Sequence, residues 1–256
     1  MTAGGAPAER SAIRVWADLA RAGNFPSVAS NVVAALVLSR VAGPSWPEPV
    51  ILWVAVLSGC FAYAGGATFN DVADAHFDAA RQPWRPIPQR AVSRTAAAWL
   101  GVTQLAVAVA GLLFLGASPF RVGLLVAVIA AYDWLHKRWG GSVLLMGGCR
   151  ALLALSIASL PGHTDTPALL IWVGSLFVYI VVLSVIARRE AGLARQGGEA
   201  ARARAQRIGR WVGQLLAAMP LVDAAALAVV GAWLPAAVCL LAYPLGRLAQ
   251  RLAAST

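Results

Sequence analysis

The stretch that decides the fold runs from Val50 to Asp78 and reads VILWVAVLSGCFAYAGGATFNDVADAHFD. Its first 20 residues, Val50–Phe69, hold no charged side chain, and a helix of about 20 apolar residues is long enough to cross the hydrocarbon core of a bilayer. Its last nine residues, NDVADAHFD at positions 70–78, contain three aspartates and one asparagine. The stretch therefore predicts a membrane-spanning helix that leads directly into an acidic segment.

The aspartates of the acidic segment are regularly spaced. Asp71, Asp74 and Asp78 stand at i, i+3 and i+7, which places them on one face if the segment is helical. Three carboxylates on one face repel each other unless cations hold them, and Mg²⁺ binds carboxylate, amide and phosphate oxygens. We interpret the segment as a magnesium site rather than as a polar loop with solvated charges. Neither Asp71 nor Asp74 is expected to belong to a packed core.

Arginines follow the acidic segment at Arg81, Arg85 and Arg90, and Arg85 begins the motif RPIP. Guanidinium groups bind phosphate oxygens through paired hydrogen bonds. Carboxylates for a metal, with arginines for the remaining oxygens, suit a diphosphate that is bridged by Mg²⁺.

The composition is that of a helical membrane protein. Of 256 residues, 59% are hydrophobic and only 12% are charged, which is about half the charged share of a soluble domain. The formal net charge is +10, but the basic residues cluster between apolar runs. There they report membrane topology and contact with anionic lipids rather than nucleic-acid binding. Cys60, Cys149 and Cys239 all lie in apolar segments, which argues against disulfides and a cysteine metal site.

Eight apolar spans are predicted. They run over residues 25–43, 50–69, 95–115, 120–135, 142–160, 168–187, 211–231 and 233–247. Because no separate soluble domain is visible, residues 1–256 are expected to form a single all-α integral membrane domain.

The placement of basic residues predicts the orientation of the spans. The N-terminal arm 1–24 and the segments 70–94, 136–140, 188–210 and 247–251 hold 18 of the 21 Lys and Arg residues. Since basic residues mark cytoplasmic segments, both termini and the loops 70–94 and 188–210 are expected on the cytoplasmic side. Ile13–Arg21 alternates apolar and charged residues at helical spacing, so the arm is predicted to lie in the membrane interface.

A second polar cluster, YDWLHKR at residues 132–138, ends the fourth span. Tyr132 and Lys137 at this depth are compatible with a clamp on phosphate oxygens. They are equally compatible with an aromatic-belt tyrosine that is followed by positive-inside charges.

Polar residues inside the spans form a third group. Arg150 lies within span five, and an intramembrane arginine points by default to a functional cavity or a partnered charge. The alternative is an ion pair with Asp133 or snorkelling to the interface. Asn24 and Asn31 either line a cavity or hydrogen-bond to neighbouring helices. Asp223 in span seven either pairs with an arginine or contacts a substrate.

Together, these residues resemble the UbiA superfamily of intramembrane prenyltransferases. The matching motifs are NDxxDxxxD at 70–78, RPIP at 85–88, and Tyr132 followed by Lys137. Within the superfamily, MGxCR at 146–150 and the Arg-Glu pair after span six are similar to the EboC-like branch. The resemblance covers essentially the whole chain. It implies a bundle of about eight transmembrane helices around a central cavity, in the bacterial cytoplasmic membrane.

The resemblance also implies an activity, which is Mg²⁺-dependent transfer of an isoprenyl group from an allylic diphosphate to a small acceptor. Sugar-like, cyclitol-like and aromatic acceptors remain open. The implied catalytic residues are Asn70, Asp71, Asp74 and Asp78, and the implied metal ligands are Asp71, Asp74, Asp78 and Glu190. The expected substrate-binding residues are Asn24, Asn31, Arg85, Tyr132, Lys137, Arg138, Arg150 and Arg188.

The loop after span six departs from the family pattern. Family members carry a second aspartate-rich motif there, whereas this chain has Arg188-Arg189-Glu190. Because arginine can serve as the counter-charge of a diphosphate, Arg188 or Arg189 is expected to do part of the work of a second metal. The alternative function is that of a non-catalytic membrane binder or carrier of a prenyl diphosphate or another lipid phosphate.

Overall fold

The computed structural model describes residues 11–43, 45–196 and 198–252. Within these residues the chain is helical, and no β-strand is formed beyond an isolated bridge between Arg40 and His163. The helices are α1 (Ala12–Leu19), a 3-10 turn (Ala22–Asn24), α2 (Phe25–Leu38), α3 (Pro49–Arg81), α4 (Arg94–Phe114), α5 (Pro119–Leu135), α6 (Ser142–Ile157), α7 (Pro167–Gln196), α8 (Glu199–Val229) and α9 (Trp233–Leu252).

Helices α2 to α9 correspond one to one to the eight predicted spans. Among the described residues, four of them (α3, α4, α7 and α8) are by themselves long and apolar enough to cross a membrane. Helices α2 and α6 are apolar but shorter, with 14 and 16 residues. The prediction of an all-α integral membrane protein is confirmed.

Helix α3 is a continuous helix of 33 residues. At 1.5 Å per residue it measures about 50 Å, whereas the hydrocarbon core of a bilayer is ~30 Å thick. The segment predicted as a loop from residue 70 is therefore helical as far as Arg81, and the chain turns only between Gln82 and Ser93. Similarly, helix α7 continues to Gln196 and helix α8 begins at Glu199, so the second polar segment is also largely helical.

Helix α2 lies at the centre of the bundle. It contacts α3, α6, α7, α8 and α9, and its residues from Val32 to Leu38 are all buried. A helix that is apolar on all sides belongs in such a position. Gly59 of α3 allows the closest approach, because a Cβ atom at this position would lie 2.8 Å from Cγ2 of Val32.

The two ends of the bundle differ in character. At the end where α3 begins, Arg121 forms a bidentate ion pair with Asp165, with nitrogen–oxygen distances of 2.8 and 2.7 Å. The opposite end gathers the N-terminal arm, the acidic turns of α3, the turn between α5 and α6, and the polar part of α7. We call this the acidic end.

Candidate active site

The acidic face predicted on α3 is present. Asp71, Asp74 and Asp78 lie along one side of the helix and are only 6%, 4% and 1% exposed. The expectation that Asp71 and Asp74 stay outside a packed core is therefore wrong. They are buried because cationic side chains from other segments pack over them.

Arg85 covers the two outer carboxylates of this face. Its Nη1 atom donates to Asp71 Oδ1 at 3.0 Å and to Asp78 Oδ2 at 2.9 Å. Arg21 adds a second cation from the N-terminal arm and donates from Nη2 to Asp71 Oδ1 at 3.2 Å. Burial lowers the pKa of Arg21, but the Asp71 carboxylate together with Tyr63 and Tyr132 raises it, and the net shift is upward. Asp71 and Asp78 thus face permanent positive charge.

Asp74, the middle carboxylate, is held by the turn after α5. His136 Nε2 lies 3.0 Å from Asp74 Oδ1, and Lys137 Nζ lies 3.0 Å from Asp74 Oδ2. The Asn70 amide nitrogen is 3.4 Å from His136 Nε2. The ring of Tyr132 stacks on that of His136 with centroids 5.3 Å apart. The structure therefore brings Asn70, Tyr132 and Lys137 together as predicted, and it adds His136, which the sequence did not single out as a site residue.

Phe77 also contributes to the site. The guanidinium of Arg81 lies 4.0 Å from the centroid of its ring, and Lys137 Nζ lies 4.2 Å from the same centroid. An aromatic ring attracts cations placed over its face. Phe77 stands one residue before Asp78 in a polar segment, and its apolar character there is the only sequence signal for this role.

The donor set of this face fits a hard divalent cation. Carboxylates with an amide beside them are the ligands that Mg²⁺ takes. Asp78 Oδ1 is buried and has no hydrogen-bond partner among the described residues, and such an oxygen is costly unless a cation or water satisfies it. No three His, Cys, Asp or Glu side chains in the described part converge on one point. In this arrangement Arg85, His136 and Lys137 lie against the carboxylate oxygens that a metal would use.

Arg150 belongs to a polar network deeper in the bundle. It is 7% exposed, and it donates from Nη1 to Asn31 Oδ1 at 2.8 Å. Its guanidinium lies 4.9 Å from the centroid of the Tyr63 ring. Among the described residues, Arg150 thus contacts polar groups of α2 and an aromatic ring, rather than Asp133 or the membrane surface.

Asp223 is the acidic member of the same network and is fully buried. It accepts hydrogen bonds from Ser30 Oγ at 2.6 Å, from Asn31 Nδ2 at 2.8 Å and from Trp172 Nε1 at 3.0 Å. Asn31 therefore links Asp223 to Arg150 and joins α2 to α6 and α8, while Trp172 connects α7 to the same network through Asp223. Asn24 lies closer to the acidic end, where it donates to Tyr63 Oη at 2.7 Å.

The two adjacent arginines in the polar part of α7 lie in different environments. Arg188 directs its guanidinium into the turn between α5 and α6, whereas Arg189 is exposed. Glu190 packs on α8, because a Cβ atom at Gly209 would lie 2.5 Å from its Oε1 atom. Arg138, the last residue expected to bind substrate, is exposed.

An apolar groove lies elsewhere in the described part of the bundle. It measures about 650 Å³, lies between α7 and α8, and is lined mainly by apolar residues that include Ile171, Val178, Val182 and Leu215. None of the predicted site residues lines it.

The fold and the site together define a class of protein. It is a helical membrane protein in which buried carboxylates on one helix face are paired with cationic side chains. The chain belongs to the UbiA prenyltransferase family, whose model matches residues 31–256. The prediction of the superfamily is confirmed, and the finer assignment to the EboC-like branch stays a prediction.

Curated relatives match part of the chain. The digeranylgeranylglyceryl phosphate synthases of Thermococcus gammatolerans and Thermococcus kodakarensis are 35% identical over 100 residues and 33% identical over 103 residues. Each match covers 39% of this chain and 36% of the relative. The matched region is thus little more than a third of the length of either synthase.

Solved structures match nearly the whole fold. A digeranylgeranylglyceryl phosphate synthase structure aligns with a TM-score of 0.58 and 13% identity over 94% of this chain and 95% of that chain. A UbiA homologue from Archaeoglobus fulgidus, bound to DMAPP and Mg²⁺, aligns with a TM-score of 0.55 and 13% identity over 91% and 98% of the two chains. At this identity the likeness shows that the fold is shared.

Proposed function

We propose that this chain is a Mg²⁺-dependent membrane prenyltransferase that moves an isoprenyl group from an allylic diphosphate to a small acceptor. The observation that supports the proposal most strongly is the buried acidic face of α3, where Arg21, Arg85 and Lys137 match three carboxylates. Carboxylates and arginines at such distances suit a metal-bridged diphosphate. Family membership and the homologue that binds DMAPP with Mg²⁺ support the same donor class.

The residues of the acidic end have distinct roles in this proposal. Asp71, Asp74 and Asp78 would hold Mg²⁺, which when bound neutralises negative charge on the diphosphate. Arg85 and Lys137 exchange a carboxylate partner for diphosphate oxygens, where they stabilise the charge that develops as the C1–O bond breaks. The bonding electrons leave with the diphosphate. The acceptor oxygen then bonds to C1 and releases its proton.

For the acceptor, we infer an alcohol that carries a phosphate group. The relatives are named as synthases of a glyceryl phosphate product. At the acidic end, Arg81 in the last turn of α3 and Arg138 in the turn after α5 are both exposed, so positive charge is accessible to a second anionic group at this end. A phosphorylated sugar or cyclitol belongs to this acceptor class, whereas the aromatic acceptors left open by the sequence do not.

The basic residues at the acidic end also support a proposal for the orientation of the bundle in the membrane. The segments rich in basic residues lie beside the acidic turns, and basic residues face the cytoplasm in membrane proteins. We therefore propose that the acidic end faces the cytoplasm, where water-soluble phosphates would enter directly.

Purified protein in lipid nanodiscs tests the function. It is supplied with dimethylallyl, geranyl or geranylgeranyl diphosphate, with glycerol phosphate or an aromatic acid as acceptor, and with Mg²⁺ or EDTA. We expect Mg²⁺-dependent diphosphate release and a prenylated phosphate product, detected by mass spectrometry. Donor binding without release from any donor would instead identify a carrier, and prenylation of the aromatic acid alone would overturn the acceptor class.

A further inference from the structure

Arg188 makes a set of contacts that the proposed reaction does not yet use. Its Nη2 atom donates to the backbone oxygens of His136 at 3.2 Å and Trp139 at 3.4 Å. Nη2 also donates to Ser142 Oγ, and the Nη1 atom of Arg188 donates to Gly140 O. All of these acceptors lie in residues 136–142, between the end of α5 and the start of α6, which we call the α5–α6 turn.

The chemistry of these contacts suits a guanidinium. The last carbonyls of a helix have no partners within the helix and carry partial negative charge, so a cation at the C-terminus of α5 is stabilising. Arginine offers five N–H donors in a fixed plane, whereas lysine offers one compact ammonium group. Both terminal nitrogens of Arg188 are directed at acceptors in the turn.

The α5–α6 turn carries two side chains of the acidic end. His136 and Lys137 both lie 3.0 Å from the carboxylate oxygens of Asp74. Arg188 therefore fixes the backbone from which these two side chains reach α3. Arg188 is thus connected to Asp74 in two stages. It donates hydrogen bonds to the backbone of the turn, and the side chains of His136 and Lys137 in that turn contact Asp74.

We propose that Arg188 is a positioning residue, which acts on the diphosphate site through the α5–α6 turn rather than by contact with the diphosphate. The inference rests on the proposed prenyl transfer, and it replaces the sequence-based expectation that Arg188 or Arg189 does part of the work of a second metal on the diphosphate. The guanidinium already donates to acceptors of the turn, and the side chains that reach the carboxylate face from this region are those of His136 and Lys137.

The chain supplies a matched control. Arg189 follows Arg188 directly, has the same charge and is exposed. If position 188 mattered only as a positive charge at the membrane surface, Arg188→Gln and Arg189→Gln would have equal effects. Arg188→Lys retains the charge but loses the planar set of donors, so it separates charge from geometry.

Hydrogen exchange on the substrate-free protein reads the positioning directly. We expect the amides of Arg138, Trp139 and Ser142 to exchange about tenfold faster in Arg188→Gln than in the wild type, with an intermediate rate in Arg188→Lys and no change in Arg189→Gln. If Arg188→Gln fails to fold, exchange rates in Arg188→Lys and Ser142→Ala are compared with those of the wild type instead. Unchanged exchange in the variants that fold overturns the proposal, and this result does not depend on whether the protein is active.

Kinetics then test the route of action. Misplacing Lys137 should lower kcat by about tenfold or more and leave the donor KM within about threefold, whereas Arg189→Gln should leave both nearly unchanged. In a Lys137→Gln background, the further loss from Arg188→Gln should shrink to less than about threefold, because residues that act as one unit are not additive. Additive losses with a rise in donor KM in both backgrounds would instead place Arg188 on the diphosphate. If the wild type releases no diphosphate from any donor, the proposed function fails while the exchange result still stands.

Discussion

The guanidinium of Arg85 lies 2.9 Å from the carboxylate of Asp78, a residue seven positions earlier in the chain. The same nitrogen also reaches Asp71 at 3.0 Å. Arg85 thus occupies oxygens that a magnesium ion would use. Under the proposed function, arginine and metal would compete for the same carboxylates until a diphosphate gave the arginine another partner.

This competition predicts opposite effects of Arg85→Gln on two ligands. Binding of Mn²⁺ alone, used as a spectroscopic substitute for Mg²⁺, should tighten by about tenfold because the carboxylates lose a competing cation. Two unit charges about 4 Å apart interact by ~4 kcal/mol at an effective dielectric constant of about 20, which leaves room for an effect of this size. Donor binding in the presence of the metal should weaken, because a phosphate-binding group is lost. Electron paramagnetic resonance for the metal and isothermal calorimetry for the donor measure the two constants.

Arg14→Gln is the control for this experiment, since Arg14 is exposed on α1 and its loss changes the net charge equally. A fall in the affinity for Mn²⁺ alone in Arg85→Gln would contradict the competition between arginine and metal.

The carboxylates themselves are best tested with isosteric changes. Asp71→Asn and Asp74→Asn should each lower turnover by about a hundredfold or more, since each removes a charge that holds the metal and its diphosphate. Alanine is a poorer choice, because it would leave Arg21, Arg85 or Lys137 facing an empty space. Diphosphate release at saturating Mg²⁺, with thermal unfolding measured in the same detergent, separates activity from stability. Near-normal turnover in either variant would contradict the proposal that these carboxylates hold a metal ion bridged to the diphosphate.

Glu190 should matter less than the acidic face. A lone carboxylate is a poor Mg²⁺ site, and Glu190 packs against α8 at Gly209. Glu190→Gln is therefore expected to cost less than about tenfold in turnover under the conditions that abolish it in Asp71→Asn. An equal loss of turnover in the two variants would instead indicate that Glu190 binds a second metal ion.

The deeper polar network should govern stability. Asp223→Ala removes the acceptor of Ser30, Asn31 and Trp172, and we expect a loss of about 3 kcal/mol in the free energy of unfolding. Chemical unfolding in detergent measures it, with Ser175→Ala on the exposed side of α7 as control. Addition of Arg150→Met to Asp223→Ala should recover part of the loss, because it removes a buried charge that the network no longer balances. No recovery would mean that the two charges are uncoupled.

Membrane topology is tested by labelling. Gln89 in the α3–α4 loop and Gln206 in α8 are both exposed, and they suit the test better than Gln82, which is half-buried, or Gln196, whose side chain lies outside the described residues. Single cysteines at 89 and 206 in a cysteine-free background should both resist an impermeant thiol reagent in intact cells and react after lysis. Labelling of only one of the two in intact cells would refute the placement of both segments at the cytoplasmic surface.

The span count and the acidic face of α3 could be predicted because each depends only on the spacing of residues that are close together in the sequence. An uncharged run of 20 residues and aspartates at i, i+3 and i+7 depend only on helix geometry. The burial of those aspartates was not predictable in this way. It depends on Arg21 and His136, which reach the face from 50 and 62 residues away in the chain.

The polar network shows the same limit more strongly. The sequence marked Asn31, Arg150 and Asp223 as unusual and left open whether each contributes to a functional cavity or contacts a partner elsewhere in the protein. The contacts join residues 119 and 192 positions apart, and only the packing of α2 between α6 and α8 creates them. Intramembrane polar residues can thus be found from sequence, whereas their partners depend on the order of helices around the bundle.

Because α3 is unbroken from Pro49 to Arg81, the azimuth and the height of its carboxylates are linked. Each residue turns the helix by about 100° and raises it by ~1.5 Å. One residue inserted between Val50 and Phe69 would rotate the carboxylates by about 100°, away from Arg85 and His136. Seven inserted residues would restore the azimuth to within about 20° but lift the carboxylates by ~10 Å. The number of apolar residues in the membrane half of α3 therefore sets both the phase and the depth of the polar half, so length variation in this helix is constrained even where no side chain takes part in chemistry.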